Sequence, residues 1–149
     1  EWRTFTALQV ASAYPPGFIW DAKIKMAGPL NVRVRDGYSN GKGMMNAKVM
    51  SFINVAIAAS REELIKAAMQ RDLAEAVWYP TALLPNRKLK WKEIDEKRAL
   101  AELSDSGYTV SLEFRFDSNG EINGVYSPER FYEENGLSLQ APGVHIPIK

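Results

Sequence analysis

Ser60-Arg61-Glu62-Glu63-Leu64-Ile65-Lys66-Ala67-Ala68-Met69-Gln70-Arg71-Asp72-Leu73-Ala74-Glu75-Ala76-Val77 is the stretch that decides the fold, because here the hydrophobic period becomes that of an amphipathic helix. Ser60 with Glu63 three positions later is a capping box, and Pro80 is a stop signal, so the pattern predicts a helix over about 61–77. At 100° per residue, Leu64, Ile65, Ala68, Met69, Leu73, Ala76 and Val77 share one apolar arc. Two acids interrupt it: Glu75 falls between Leu64 and Ala68, and Asp72 between Ala68 and Ile65. An isolated buried carboxylate is very costly, so each must be paired, hydrogen-bonded or protonated. The bland explanation places them at the rim of the buried face, or bonded to a strand Arg, a Tyr hydroxyl or a Trp indole. The functional one places an acid inside a ligand cavity.

On both sides of this helix the period is that of strands. Residues 2–13 read as a strand ended by Pro15-Pro16-Gly17. Phe18, Trp20, Ala22, Ile24 and Met26 then alternate with Asp21, Lys23 and Lys25. After Gly28-Pro29, Leu30, Val32 and Val34 alternate with Arg33 and Arg35, and the loop Ser39–Gly43 leads into a strand-like apolar run from Met44 to Ile57. Beyond the helix, Trp78–Pro85 is apolar and neither helical nor alternating. Strands follow at 88–94, 99–103 and 108–116, and a hairpin loop Asp117–Gly120 leads into a strand from about Ile122. Gly136 to Lys149 reads as an irregular tail. The order is four strands, one helix, four strands. It predicts an α+β fold in which a curved antiparallel sheet of about six to eight strands, an open half-barrel, wraps round one principal helix. A helix of about 17 residues spans roughly 25 Å and covers such a sheet without filling it.

Composition narrows the chemistry. The 149 residues suit a single domain, and 46% apolar with 25% charged residues is globular. Nineteen Lys and Arg against eighteen Asp and Glu give a net charge of +1, which argues against nucleic acid as a partner. With no Cys and one His, a Cys/His zinc cluster, a thiol nucleophile and a triad on a mid-chain His are excluded, and neither a metal nor a cofactor is expected. The chain starts Glu1-Trp2-Arg3 and already alternates, so it reads as a fragment of a longer polypeptide with upstream sequence, and further strands, missing. Export or tethering to a membrane is the expected placement.

Trp2-Arg3-Thr4-Phe5-Thr6-Ala7, Pro15-Pro16-Gly17-Phe18-Ile19-Trp20, Arg35-Asp36-Gly37-Tyr38 and above all Ala74-Glu75-Ala76-Val77-Trp78-Tyr79-Pro80-Thr81-Ala82-Leu83-Leu84-Pro85 resemble an uncharacterised prokaryotic family known only as a domain of unknown function. The resemblance runs from Trp2 to about Val125. It implies a longer parent chain and transfers no catalytic residue. At the level of element order, the chain is also similar to lipoprotein carriers and receptors (LolA/LolB-like), in which an incomplete barrel wraps a helix and holds acyl chains. That likeness is an analogy of fold.

The leading functional expectation is therefore non-catalytic binding of a lipid or other apolar ligand. Phe18, Trp20, Leu64, Met69, Leu73 and Trp78 would line or border the cavity, with Leu83 and Leu84 at its lip. The runner-up is a structural or protein-interaction module whose helix fully plugs the sheet. Third is an enzyme using Glu75 and Asp72. Asp36 is a further buried polar candidate: it continues the Leu30-Val32-Val34 side of its strand, although a bulge at Gly37 would reset the faces and expose it, the preferred reading. Lys23, Lys25, Arg33 and Arg35 make a basic stripe suited to an anionic membrane surface.

Overall fold

Strong alternation, short turns and a single helical stretch produce two antiparallel meanders separated by the helix. The computed structural model describes residues 4–26, 30–49, 53–55, 61–134 and 137–147. The first meander is β1 (Phe5–Ser12), β2 (Gly17–Lys25), β3 (Asn31–Ser39), β4 (Lys42–Val49) and β5 (Ile53–Val55), paired in chain order as a five-stranded sheet. Helix α1 (Arg61–Glu75) follows, then two 3-10 turns, Ala76–Trp78 and Pro80–Leu83. The second sheet is β6 (Leu89–Asp95), β7 (Arg98–Asp105), β8 (Tyr108–Phe116), β9 (Ile122–Glu134) and β10 (Leu137–Pro147), again five strands in sequential order.

The α+β class holds, and several details differ from the sequence expectation. Among the described residues, ten strands form two separate sheets where one sheet of six to eight was expected. The run from Met44 to Ile57 splits into β4 and β5, with Ala47 opposite Val55. The segment expected as an irregular tail contains β10, paired antiparallel with β9. Pro142 and Gly143 within β10 hid it, and an edge strand is where a sheet tolerates a Pro. The helix ends at Glu75 where Val77 was expected. Pro80 keeps Tyr79 out of the helical region (φ −136°, ψ 72°), so the chain tightens into 3-10 turns instead of continuing the α pattern. The expected N-cap, Ser60, lies outside the described residues.

Ile65, Ala68, Met69, Asp72 and Leu73 form the buried face of α1, matching the centre of the predicted arc. The helix packs against β3 and β4 of the first sheet and β8 and β9 of the second. At Gly43 of β4 the approach is close: a Cβ there would stand 2.8 Å from the Leu64 carbonyl oxygen and 2.9 Å from the Ile65 backbone. The core is unevenly supplied. The second sheet contributes Leu89, Ala101, Leu103, Val110, Leu112, Phe114 and Val125, with Trp91 edge-on to Phe114 at 5.0 Å, whereas the first sheet contributes Phe18 and Tyr38.

At one end the two sheets meet directly. Asn40-Gly41 and Ser106-Gly107 both have positive φ and close two-residue hairpins. The tips touch, and a Cβ on Gly41 would lie 2.4 Å from that of Ser106.

Candidate functional site

Polar side chains form three clusters, two of them on the second half of α1 and the third between the two sheets. The first is built on Arg71. Its Nε donates to Glu75 Oε1 at 2.8 Å, one turn along the helix, and its Nη1 donates to Asp36 of β3. Gln9 of β1 donates from Nε2 to Glu75 Oε2 at 2.6 Å. The guanidinium lies 5.0 Å from the Phe18 ring centre and 5.1 Å from that of Trp20. One cation thus meets strands β1, β2 and β3. Register is uninterrupted through Gly37, so the bulge expected there is absent and Asp36 stays on the helix side of its strand. Asp36 and Glu75 are both mostly covered, with 17% of each side chain exposed.

The second cluster explains the irregular Trp78–Leu84 segment. Tyr79 folds back and donates its hydroxyl to Asp72, 3.1 Å from both Oδ1 and the backbone oxygen. Trp91 Nε1 donates to the Leu83 carbonyl at 2.9 Å, and Asn86 Oδ1 accepts from the Lys88 and Leu89 amides at 2.8 and 3.1 Å. Asp72 is buried. Burial pushes its carboxyl up to about 6, against the lowering effect of the Tyr79 bond and with a further push from Glu75 and Asp105. The Tyr79 hydroxyl is itself raised, by burial first and then by Asp72.

The third cluster ties the sheets together. Asp105 at the end of β7 accepts from the Tyr38 hydroxyl of β3, from Lys88 Nζ and from Ser106 Oγ. Burial alone would raise the Asp105 carboxyl, but the Lys88 and Tyr38 hydrogen bonds outweigh it and hold it below the usual range. Burial, and then Asp105, raise the Tyr38 phenol.

Between the first turn and the 3-10 segment lies a cleft of about 20 Å³, lined by Tyr14, Asp72, Leu73, Asn86, Lys88 and Leu89 among others. Such a space holds roughly one water molecule. An acyl chain does not fit it. Among the described residues, no group of three or more His, Cys, Asp and Glu is placed to hold a metal ion. No helix among them is long and apolar enough to cross a membrane.

The residues predicted to line one cavity are divided between two environments. Phe18, Met69 and Leu73 are buried in the core, and Trp20 and Leu83 pack against its edge. Leu64 is half-buried. Trp78 and Leu84 face solvent, 71% and 63% exposed. Asp36 and Glu75 are brought together on Arg71, while Asp72 serves Tyr79 instead. Arg71, Gln9, Tyr38, Tyr79, Lys88 and Asp105 were not foreseen. Two signals were available: Arg71 stands four residues before Glu75, and Tyr38 continues the side of β3 that carries Asp36.

Glu75 should therefore be structural. Removing its carboxylate in Glu75→Ala leaves Gln9 without its acceptor and strips Arg71 of one anion, an expected loss of about 1–3 kcal/mol in urea unfolding. Glu75→Gln, which retains an acceptor oxygen, should lose less. An unchanged midpoint in Glu75→Ala would contradict this role.

Comparison with curated proteins and with solved structures finds no match. A model of a family of unknown function, DUF6920, matches residues 1–143, and the chain belongs to that family.

Proposed function

We propose that this domain is a non-catalytic interaction module whose helix plugs the space between two sheets, so that binding takes place on its surface. The observation that carries this reading is the packing of Phe18, Met69 and Leu73, the heart of the expected cavity, into one buried cluster with residues of both sheets. The polar clusters support it. Arg71 is neutralised by Asp36 and Glu75, and Asp72 and Asp105 are engaged by Tyr79, Tyr38 and Lys88. Acids so engaged act as fasteners, and a water-sized cleft beside Asp72 leaves an organic substrate little access.

The competing reading, an open half-barrel carrying an acyl chain, requires helix and sheets to part. Burying a chain contributes roughly 0.8 kcal/mol per methylene, enough to drive such opening only if the core yields readily. Placement outside the cytoplasm or at a membrane fits either reading. Titration with an environment-sensitive fluorescent fatty acid separates them. The packed module predicts no saturable signal displaced by unlabelled fatty acid. Stoichiometric, displaceable binding would favour the carrier.

A further inference from the structure

The outer face of the first sheet, turned away from α1, carries an ordered gradient from apolar to basic. Register places Val10, Ile19, Gly37 and Met44 side by side across four strands, with Leu8 next to Val10 on the same face. Leu8, Val10, Ile19 and Met44 are between 48% and 70% exposed. With strands about 4.8 Å apart, the row is roughly 14 Å long. The next two rows toward the other end of the sheet are Leu8, Asp21, Arg35, Asn46 and then Thr6, Lys23, Arg33, Lys48, each about 7 Å beyond the last. Lys25 lies beyond them, and Lys42 flanks the apolar row on its other side.

The charge on this face is one-sided. Among the described residues of this face, Lys23, Lys25, Arg33, Arg35, Lys42 and Lys48 oppose a single acid, Asp21. That carboxylate is shared by Arg33, at 2.8 and 2.7 Å, and Arg35, at 2.7 Å. The asymmetry extends along the chain: residues 1–60 hold seven basic and three acidic side chains, and residues 61–149 hold twelve and fifteen. An anionic plane would therefore draw the first sheet toward it and leave the rest of the molecule facing away.

We propose that this face docks the domain on an anionic lipid surface. Leu8, Val10, Ile19 and Met44 enter the headgroup boundary, while Lys23, Lys25, Arg35 and Lys42 contact lipid phosphates. The combination selects a membrane. A soluble polyanion uses the cations and has no use for the apolar row, and an apolar protein partner has no use for so many uncompensated cations. The inference rests on the surface-binding reading above and supplies its partner.

The test is co-sedimentation of the whole chain with vesicles of phosphatidylcholine alone and of phosphatidylcholine with phosphatidylglycerol, at low and at physiological salt. Binding should require phosphatidylglycerol and weaken as salt rises. Each lost basic contact should reduce partition about fivefold, so Lys23→Glu/Lys25→Glu should reduce it at least about 25-fold. Leu8→Ser/Met44→Ser leaves the charge intact and should reduce partition about tenfold. All four side chains are exposed, so both variants should unfold at the parent's midpoint.

Absence of a preference for phosphatidylglycerol at low salt overturns the proposal, as does partition unchanged in both variants. A loss in the charge variant alone reduces the face to a general anion attractor and also overturns it. Self-association that Leu8→Ser/Met44→Ser abolishes, without vesicle binding, assigns the face to a second copy of the chain. Interior binding of a fatty-acid probe is a separate readout, so the packed-core reading and this one fail independently.

Discussion

Asp105→Ala should lower the free energy of unfolding by about 3 kcal/mol, the lower end of what breaking a buried charge pair costs. Only 3% of the Asp105 side chain is exposed, and it holds Lys88 and Tyr38 at once. Deleting it leaves the buried Tyr38 hydroxyl without its acceptor, while Lys88, 30% exposed, can turn toward water and recover part of its solvation. Asp105→Asn keeps an acceptor for Tyr38 and should cost less. Tyr38 comes from the first sheet and Asp105 from the second, so a cycle with Tyr38→Phe should reveal coupling of about 1 kcal/mol or more between the sheets. Purely additive losses would mean that this bond does not fasten them.

The second large effect is on pH dependence. An Asp normally titrates near 3.8, and burial raises Asp72 to about 6. Between those values the folded state binds more protons than the unfolded one, so stability falls as pH rises from about 4 to about 6 and is flat above. At 1.36 kcal/mol per pH unit the loss is up to about 3 kcal/mol. Asp105 has the opposite sign. Its lowered pKa contributes stability that is lost as pH falls below about 4, so the two windows are separate. Asp72→Asn keeps an acceptor for the Tyr79 hydroxyl. It should abolish the decline between pH 4 and 6 and unfold at higher urea than the parent at pH 7. Because the difference between variant and parent is read, the single His of the chain drops out. Equal slopes in the two proteins would show that Asp72 stays ionised throughout.

Local periodicity made most of the architecture legible. Alternation in β2 and β8 and the apolar arc of α1 each reflect burial against one surface, and a side-chain period records that directly. Where pattern and backbone chemistry compete, the reading was poorer. Pro142 concealed β10 because loss of an N–H usually ends a central strand, yet an edge strand needs that donor less. Gly37 suggested a bulge because Asp36 was out of place on an apolar side, and the missing element was its partner, Arg71. The helix lies 35 residues away in sequence, and a one-dimensional pattern does not bring the two together. The buried acids on α1 were visible as exceptions to the arc, but which group satisfied each was not. Glu75 is satisfied by a strand side chain, Gln9, and by its helix neighbour Arg71, and Asp72 by the hydroxyl of Tyr79.

The lining expected for a cavity shows the same limit. Phe18, Trp20, Met69, Leu73, Trp78 and Leu84 are all bulky and apolar, and composition alone does not distinguish a core from a pocket or an exposed loop. Placement by the two sheets does. It closes Phe18, Met69 and Leu73 into the interior, packs Trp20 against its edge and leaves Trp78 and Leu84 in solvent.

The most direct test of binding at the surface around a closed core is methyl NMR of the whole chain during titration with phosphatidylglycerol-containing bicelles. The resonances of Leu8, Val10, Ile19 and Met44 should move and saturate, while those of Ile65, Met69 and Leu73 stay in place. Saturable shifts at Met69 and Leu73 with the outer face unmoved would contradict this directly, and would place the ligand between helix and sheets.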